Sequence, residues 1–327
     1  SYTPDGTALV FDMKRKVGLI KQKGDKKGAN GHSVQHSSDL LSGHHLPILC
    51  ASWAPDNSTL AVGGMDGVVY IWDTRKQKCL LRIHKCQGTI NHLDWQSSKD
   101  TPPDQLPLLA SAGSDGRINI INPNNGEVVK HLHHHKCHEV LSVIWSPVDP
   151  HLMVSYSQDK TLVFINTSDY SVKVFAQPTC VQRACFSPNG KYLATVSTDV
   201  IRIWDVTPCL VLKAIPRNGT GSSEVHLSSR GGMIFPILSF DCTSTRLACT
   251  TSHQDQVPVI FDMVSNSFLS CASRERHQAP ITCLEWAKSK PLLLTGGFDR
   301  SVILWDIEAH EEEIQEDDEH EGLPDFL

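Results

Sequence analysis

The sequence predicts an all-β protein built from repeated units of short antiparallel strands. Three observations carry that prediction. One phrase returns: Leu60–Asp73 reads "LAVGGMDGVVYIWD" and Leu293–Asp306 reads "LLTGGFDRSVILWD". Within it, "GVVYIW" and "RSVILW" alternate with the two-residue period of a strand, and no long stretch of the chain has a helical period. The signature recurs about every 40 to 60 residues. Four-stranded units at that period fit a β-propeller.

The repeat template is an Asp, five residues, a large apolar residue, then Asp or Asn. It matches at Asp5/Phe11/Asp12, Asp66/Trp72/Asp73, Asp115/Ile121/Asn122, Asp159/Ile165/Asn166, Asp255/Phe261/Asp262 and Asp299/Trp305/Asp306. A seventh match, Asp199/Trp204/Asp205, is one residue short. Four residues before the leading Asp stands a hydroxyl: Ser1, Ser111, Ser155, Thr195, Thr251 and Thr295, with Val62 the exception. Upstream lies a second landmark, a β-branched residue followed five positions later by an aromatic one. It opens at Ile48, Ile90, Val140, Val181 and Ile281, and more loosely at Phe235. Several of these runs end in turn chemistry, as in Ala54-Pro55-Asp56-Asn57 and Ser187-Pro188-Asn189-Gly190.

These phrases resemble the WD repeats of the WD-repeat β-propeller family over nearly the whole chain. The resemblance implies a hydrogen-bonded network inside each blade. His277, Thr295, Asp299 and Trp305 would make a full set; His44, Asp66 and Trp72 a partial one, because Val62 cannot hydrogen-bond. Asp115, Asp159, Asp199 and Asp255 are the other turn acids, and Trp204 is the third indole. Ile121, Ile165 and Phe261 put apolar bulk where the indole would be. The resemblance also implies that two positions per blade line the central face. One follows the first residue of the inner strand: Leu49, Asn91, Leu141, Gln182, Pro236 and Thr282. The other precedes the turn Asp: Met65, Ser114, Gln158, Thr198, Gln254 and Phe298. The apolar members are peptide anchors, and the polar ones suit a peptide backbone.

Seven signatures predict seven blades across residues 1–307, with the first incomplete. Asp5 marks the turn between second and third strands, so that blade lacks its two inner strands. The last blade has three strands. Two explanations of the gap stand: a start that is missing, or a strand donated by a partner to the open blade. A six-bladed arrangement with "KVGLIKQ" as the last outer strand is a third. Residues 21–43 and 216–233 are expected to be long loops, and residues 308–327 an acidic, disordered tail.

Composition is that of a globular chain: 327 residues, 40% hydrophobic and 20% charged, with a formal charge of -6. Ten acids and no Lys or Arg follow from Glu308 onward, leaving 26 acids against 30 bases in the body. No run of about 18 apolar residues exists, so no membrane insertion is expected. The 11 cysteines lie mostly within apolar strands and read as reduced thiols of an intracellular protein, in cytoplasm or nucleus.

No nucleophile elbow, phosphate loop, dinucleotide fingerprint or zincin motif is present. The cluster "HLHHHKCHEV", His131 to Val140, offers imidazole and thiolate ligands. It sits where the family's Gly-His precedes an inner strand, so one His belongs to the blade network and the rest face solvent. No catalytic residue, cofactor or metal is expected. The function expected is a non-enzymatic scaffold that binds other proteins of a multiprotein complex. The alternative is a chromatin- or RNA-associated protein that uses the basic stretch from Lys14 to Lys27 and the acidic tail.

Overall fold

The computed structural model describes residues 7–10, 39–42, 45–84, 87–97, 101–102, 105–198, 200–216, 237–250, 257–269, 276–287 and 289–307. Every described element is a β-strand. The expectations for His44, Asp199, Pro236, Gln254, Asp255, the basic stretch, "KVGLIKQ" and the acidic tail lie outside the described residues.

The chain forms two compact units, Ser1–Val143 and Ile144–Leu327. The first unit opens with a two-stranded sheet, β1 (Thr7–Val10) and β2 (Asp39–Ser42), in antiparallel register from Thr7↔Ser42 to Val10↔Asp39. A loop is expected over 39–42; instead "DLLS" pairs with β1 as a strand. Two four-stranded sheets follow. One is β3 (Ile48–Trp53), β4 (Thr59–Gly64), β5 (Val69–Asp73) and β6 (Lys78–Ile83). The other is β7 (Ile90–Trp95), β8 (Leu109–Gly113), β9 (Ile118–Asn122) and β10 (Glu127–Leu132).

Strand β11 (Val140–Trp145) spans the division and begins the sheet completed by β12 (Leu152–Ser157), β13 (Thr161–Asn166) and β14 (Val172–Ala176). The second unit continues with β15 (Arg183–Phe186), β16 (Tyr192–Val196), β17 (Val200–Asp205) and β18 (Leu210–Pro216). Then come β19 (Leu238–Phe240), β20 (Arg246–Cys249), β21 (Val259–Asp262) and β22 (Ser267–Leu269). The last sheet, β23 (Ile281–Trp286), β24 (Leu292–Gly297) and β25 (Val302–Asp306), has three strands among the described residues.

Each sheet is a meander, and burial follows strand position. Second strands such as β4 and β8 are buried along their whole length, while the outer strand β14 shows almost every residue to solvent. Central strands are covered on both faces and so read as continuous apolar runs; edge strands carry the polar residues. The cores form where sheets stack. In the first unit Cys50, Ala61, Val69 and Ile71 lie against Ile90, Leu93, Trp95, Leu109 and Ile121. In the second, Ile203 and Ile215 meet Phe240, Leu247 and Phe261. Phe164, Phe175 and Trp204 form an aromatic triangle with centroids 5.2 to 6.0 Å apart. Indoles stitch neighbouring sheets together. Trp95 Nε1 donates to the Ser52 carbonyl at 2.9 Å, and Trp286 Nε1 to the Ser239 carbonyl at 3.0 Å.

The turns obey the chemistry read from sequence. Asp56 Oδ1 accepts the amides of Ser58 and Thr59, both at 2.9 Å. After Asp66, Asp115, Asp159 and Asp299 the backbone enters the left-handed region: Gly67 at φ 69°, Gly116 at 78°, Lys160 at 64° and Arg300 at 64°.

Candidate partner-binding face and blade network

The network of the last sheet is a chain of side chains with one arrangement of protons that satisfies all of them. Trp305 Nε1 donates to Thr295 Oγ1 at 2.8 Å. The same hydroxyl lies 2.8 Å from His277 Nε2. His277 Nδ1 lies 2.9 Å from Asp299 Oδ2. The indole can only donate, so Thr295 accepts from it and gives its own proton to Nε2; Nδ1–H then points at the carboxylate. The Asp299 carboxylate also accepts the Ser301 hydroxyl at 2.7 Å and the amides of Ser301 and Gln278. Those bonds, the Ser301 hydroxyl foremost, hold its pKa well below the usual carboxylate range against the opposing effect of burial. His277, Thr295 and Trp305 are each 1% exposed, which makes mutual satisfaction necessary. Gly297 is part of the design. A Cβ there would stand 2.7 Å from His277 Nδ1 and 2.8 Å from Asp299 Oδ1.

Other sheets keep parts of this set. Trp204 Nε1 donates to Thr195 Oγ1 at 3.0 Å. Asp66 accepts the Val68 amide, while Trp72 is buried and stacked on Tyr70 beside Val62. In the sheet where Ile121 replaces the indole, a different group fills in. Asn119 Nδ2 donates to Ser111 Oγ at 3.4 Å, and Asn119 Oδ1 lies 2.6 Å from His131 Nδ1. Sequence reasoning missed this substitute; Asn119, a polar residue inside an apolar strand, was its signal. Asp115 and Asp159 each accept the amide two residues on, from Arg117 and Thr161. Within the histidine cluster His135 is fully buried, whereas His131, His133 and His138 are exposed. Among the described residues no three His, Cys, Asp or Glu side chains gather to hold a metal.

The two positions per repeat expected to line the face are held near each other by one recurring backbone bond. Met65 N–H donates to the Pro47 carbonyl, Ser114 N–H to Thr89 and Phe298 N–H to Pro280, each at 3.0 Å. A register shift in the inner strand then turns the other residue outward. It falls between Ile48 and Cys50, Ile90 and His92, and Ile281 and Cys283, which frees Leu49, Asn91 and Thr282 from the ladder. Bulges re-aim side chains in this way.

In the first unit Leu46, Leu49 and Met65 are exposed together, at 47%, 39% and 46%. Asn91 and Ser114 are half-buried and already engaged. Asn91 Nδ2 donates to Glu139 Oε1 and to the Val140 carbonyl, and Ser114 Oγ accepts the Thr89 amide. Leu141 is half-buried. In the second unit Phe298 is 76% exposed, beside Thr282, whose hydroxyl donates to the Gly296 carbonyl. Gln158 and Thr198 are exposed and Gln182 half-buried. Leu46 was not anticipated, because nothing in its neighbours marks it as a surface residue. The second unit also holds a cleft of about 530 Å³, with Leu152, Phe164 and Val206 beside Lys173, Lys191 and Cys209. No motif had signalled it.

Comparison with known proteins agrees with this geometry. The family model described as WD domain, G-beta repeat matches residues 35–73, 126–166, 169–205 and 268–306. The chain is 30% identical over 221 residues to the WD repeat-containing protein slp1 of Schizosaccharomyces pombe, covering 64% of this chain and 44% of that one. It is 25% identical over 311 residues to Protein hir1 of the same yeast, covering 80% and 31%. With the U5 small nuclear ribonucleoprotein 40 kDa protein of Dictyostelium discoideum it shares 28% over 179 residues, covering 53% and 47%. The chain thus spans less than half the length of each of these relatives. Recurrent sheets, the His-Thr-Asp-Trp network and the repeat matches lead to one conclusion: the chain belongs to the WD-repeat β-propeller family.

Proposed function

We propose that this protein is a non-enzymatic scaffold that binds peptides or domains of partner proteins inside a larger intracellular assembly. The observation that carries this reading is the pair Met65 and Phe298. Both are large, apolar and exposed, and both are fixed by the same backbone hydrogen bond at the same repeat position. A pre-set apolar side chain on a rigid turn anchors a partner at little entropic cost. Each anchor serves within its own unit, Met65 with Leu46 and Leu49, Phe298 with Thr282. The name of the U5 small nuclear ribonucleoprotein relative, a component of a multi-part particle, supports the reading. No described helix is long and apolar enough to cross a membrane.

The test is quantitative affinity purification of the tagged chain from cells, compared with Met65→Ala and Phe298→Ala. Each variant is expected to lose a shared set of partners about tenfold or more while its melting temperature holds, since both side chains are solvent-facing. Retention of every partner by both variants overturns the reading. Loss of partners only at raised salt or after nuclease treatment favours the chromatin or RNA alternative instead.

A further inference from the structure

The cleft of the second unit opens where two neighbouring four-stranded sheets part, β11–β14 on one side and β15–β18 on the other. Its volume of about 530 Å³ lies within the range of roughly 300–1,000 Å³ common to ligand pockets. The turns after β11, β13, β15 and β17 frame it. They lie at the opposite end of the strands from Gln158 and Thr198, which occupy the turns after β12 and β16. The walls touch at two points. At one, a Cβ added to Gly190 would stand 2.9 Å from Val148 Cβ, so the approach needs a glycine. At the other, Lys173 Nζ lies 3.7 Å from Cys209 Sγ. Between these points the floor is apolar: Leu152 is half-buried, and Phe164 and Val206 are buried. Phe164 is held in place by Phe175 and Trp204.

The polar groups around this floor are mainly donors, for a reason that lies in the turns. Asn166 Oδ1 accepts the amide and the hydroxyl of Ser168. Asn189 Oδ1 accepts the Lys191 amide and the Ser187 hydroxyl. Each turn consumes the carbonyl of its asparagine and leaves the NH2 as the group on offer. Lys173 and Lys191 add two exposed ammonium groups. Lys173 rests on the Cys209 sulfur, a weak acceptor, and Lys191 on the face of Tyr192, 5.0 Å from its ring centroid. Among the described residues neither lysine is ion-paired. The one acid of the lining, Asp149, spends Oδ1 on the His151 amide. The Asn189 N–H donates to Ser244 Oγ of the following sheet at 3.1 Å, which fixes this wall in advance of any ligand. Two cations and two amide NH2 groups around an apolar floor select an anion with an apolar part.

We propose that this cleft is a second partner site, which takes a peptide segment with one large apolar side chain between acidic residues. The apolar side chain lies over Leu152, Phe164 and Val206, and the carboxylates meet Lys173, Lys191 and the Asn189 NH2. Charged hydrogen bonds then replace the sulfur and ring contacts of the two ammonium groups, which favours an acidic segment over a neutral one. The floor sets such a segment apart from any acidic chain, since exposed charge pairs alone contribute little. Phe298 lies in another sheet, on the turn after its second strand, so this site does not depend on it.

The probe is a fluorescein-labelled peptide, Gly-Asp-Glu-Phe-Asp-Glu-Gly, titrated with the purified chain and read by fluorescence anisotropy at about 150 mM salt. Saturable binding is expected, with a Kd below about 1 mM. Lys173→Glu and Lys191→Glu, both at exposed positions, should each raise the Kd about tenfold or more while the melting temperature holds. A probe with Ser in place of Phe should bind about tenfold more weakly, and so should one with Asn and Gln in place of the acids. The proposal is overturned by absence of saturation at about 1 mM, by equal binding of either altered probe, or by an unchanged Kd in both lysine variants. Two other occupants of the cleft have their own signatures. Tighter probe binding when the acids of residues 308–327 are changed to amides would assign the cleft to that stretch of the chain. Self-association of the free chain that is lost in Lys191→Glu would assign it to a second copy. Either result overturns the proposal. Phe298→Ala should leave the affinity for the probe unchanged. Partner loss in that variant without probe binding therefore sinks only this site, and probe binding without partner loss sinks only the scaffold reading.

Discussion

The indole of Trp305 donates to the Thr295 hydroxyl at 2.8 Å, and Trp204 donates to Thr195 at 3.0 Å, at the same repeat position two sheets earlier in the chain. A hydroxyl in this place accepts from one group and donates to another, so it couples strands β24 and β25 to the segment carrying His277.

Thr295→Val keeps the volume and removes the hydroxyl. It leaves the Trp305 N–H and His277 Nε2 buried without that partner, each costing about 1–3 kcal/mol. The variant should lose about 2–4 kcal/mol, read from the urea midpoint at constant m-value. A loss near zero would mean that both groups reach water. The chain already contains the control, because Val62 stands at this position beside a buried Trp72.

Asp299 sets a pH dependence. Its folded pKa is depressed, so the unfolded state takes up the proton first, and the stability it contributes is present above the unfolded value near about 4. That contribution falls away as pH drops below about 4. Asp299→Asn should be less stable at neutral pH and lose less than the parent on acidification from pH 5 to 3. Parallel acid profiles for the two proteins would contradict the assignment. Removing the Ser301 hydroxyl, the largest cause of the depression, should shift the acid limb upward.

Much of this was legible in the sequence, for a physical reason. A buried network needs particular side chains at fixed strand offsets, so Thr295, Asp299 and Trp305 announce themselves by spacing. The bulge that exposes Leu49 and Thr282 sits beside an invariant kind of residue, the β-branched start of an inner strand. Exposure is another matter. Trp53, Trp95 and Trp286 end nearly identical phrases, yet Trp53 is 47% exposed and the others 5%. Burial depends on what packs against the phrase, and no residue in the phrase encodes that. The same holds for Leu294 and Leu304, which look like core residues and face solvent. The engagement of Asn91 by Glu139 was hidden likewise, since the partner lies 48 residues away.

The turns offer a test in opposite directions. Arg300 holds φ 64° where the equivalent Gly67 and Gly116 sit without strain. Arg300→Gly should stabilise the last sheet by about 0.5–1 kcal/mol, a small rise in the thermal midpoint. Gly116→Ala should do the reverse. It combines φ 78° with a Cβ placed 2.9 Å from backbone atoms of Cys137, which cannot move aside as a side-chain tip would. A neutral result for Gly116→Ala would show that the loop at Cys137 is displaced easily.

Thiol reactivity completes the set. Cys50 is 6% exposed, its single S–H is shared between the carbonyls of Gly63 and Ile90, and burial pushes its pKa up to about 12. At pH 8 the thiolate fraction is then about a thousandfold below that of an ordinary cysteine, and the reagent has no path to it in the folded chain. Cys137 is exposed on a turn. Iodoacetamide at pH 8 should therefore modify Cys137 within minutes and Cys50 only through unfolding. Peptide mass spectrometry across a urea series would show Cys50 labelling that rises with the unfolding transition. Labelling of Cys50 well below that transition would mean that the stack between β3 and β7 opens locally, and that the first unit is held together less firmly than its buried core of Ala61, Ile71, Ile90 and Leu109 requires.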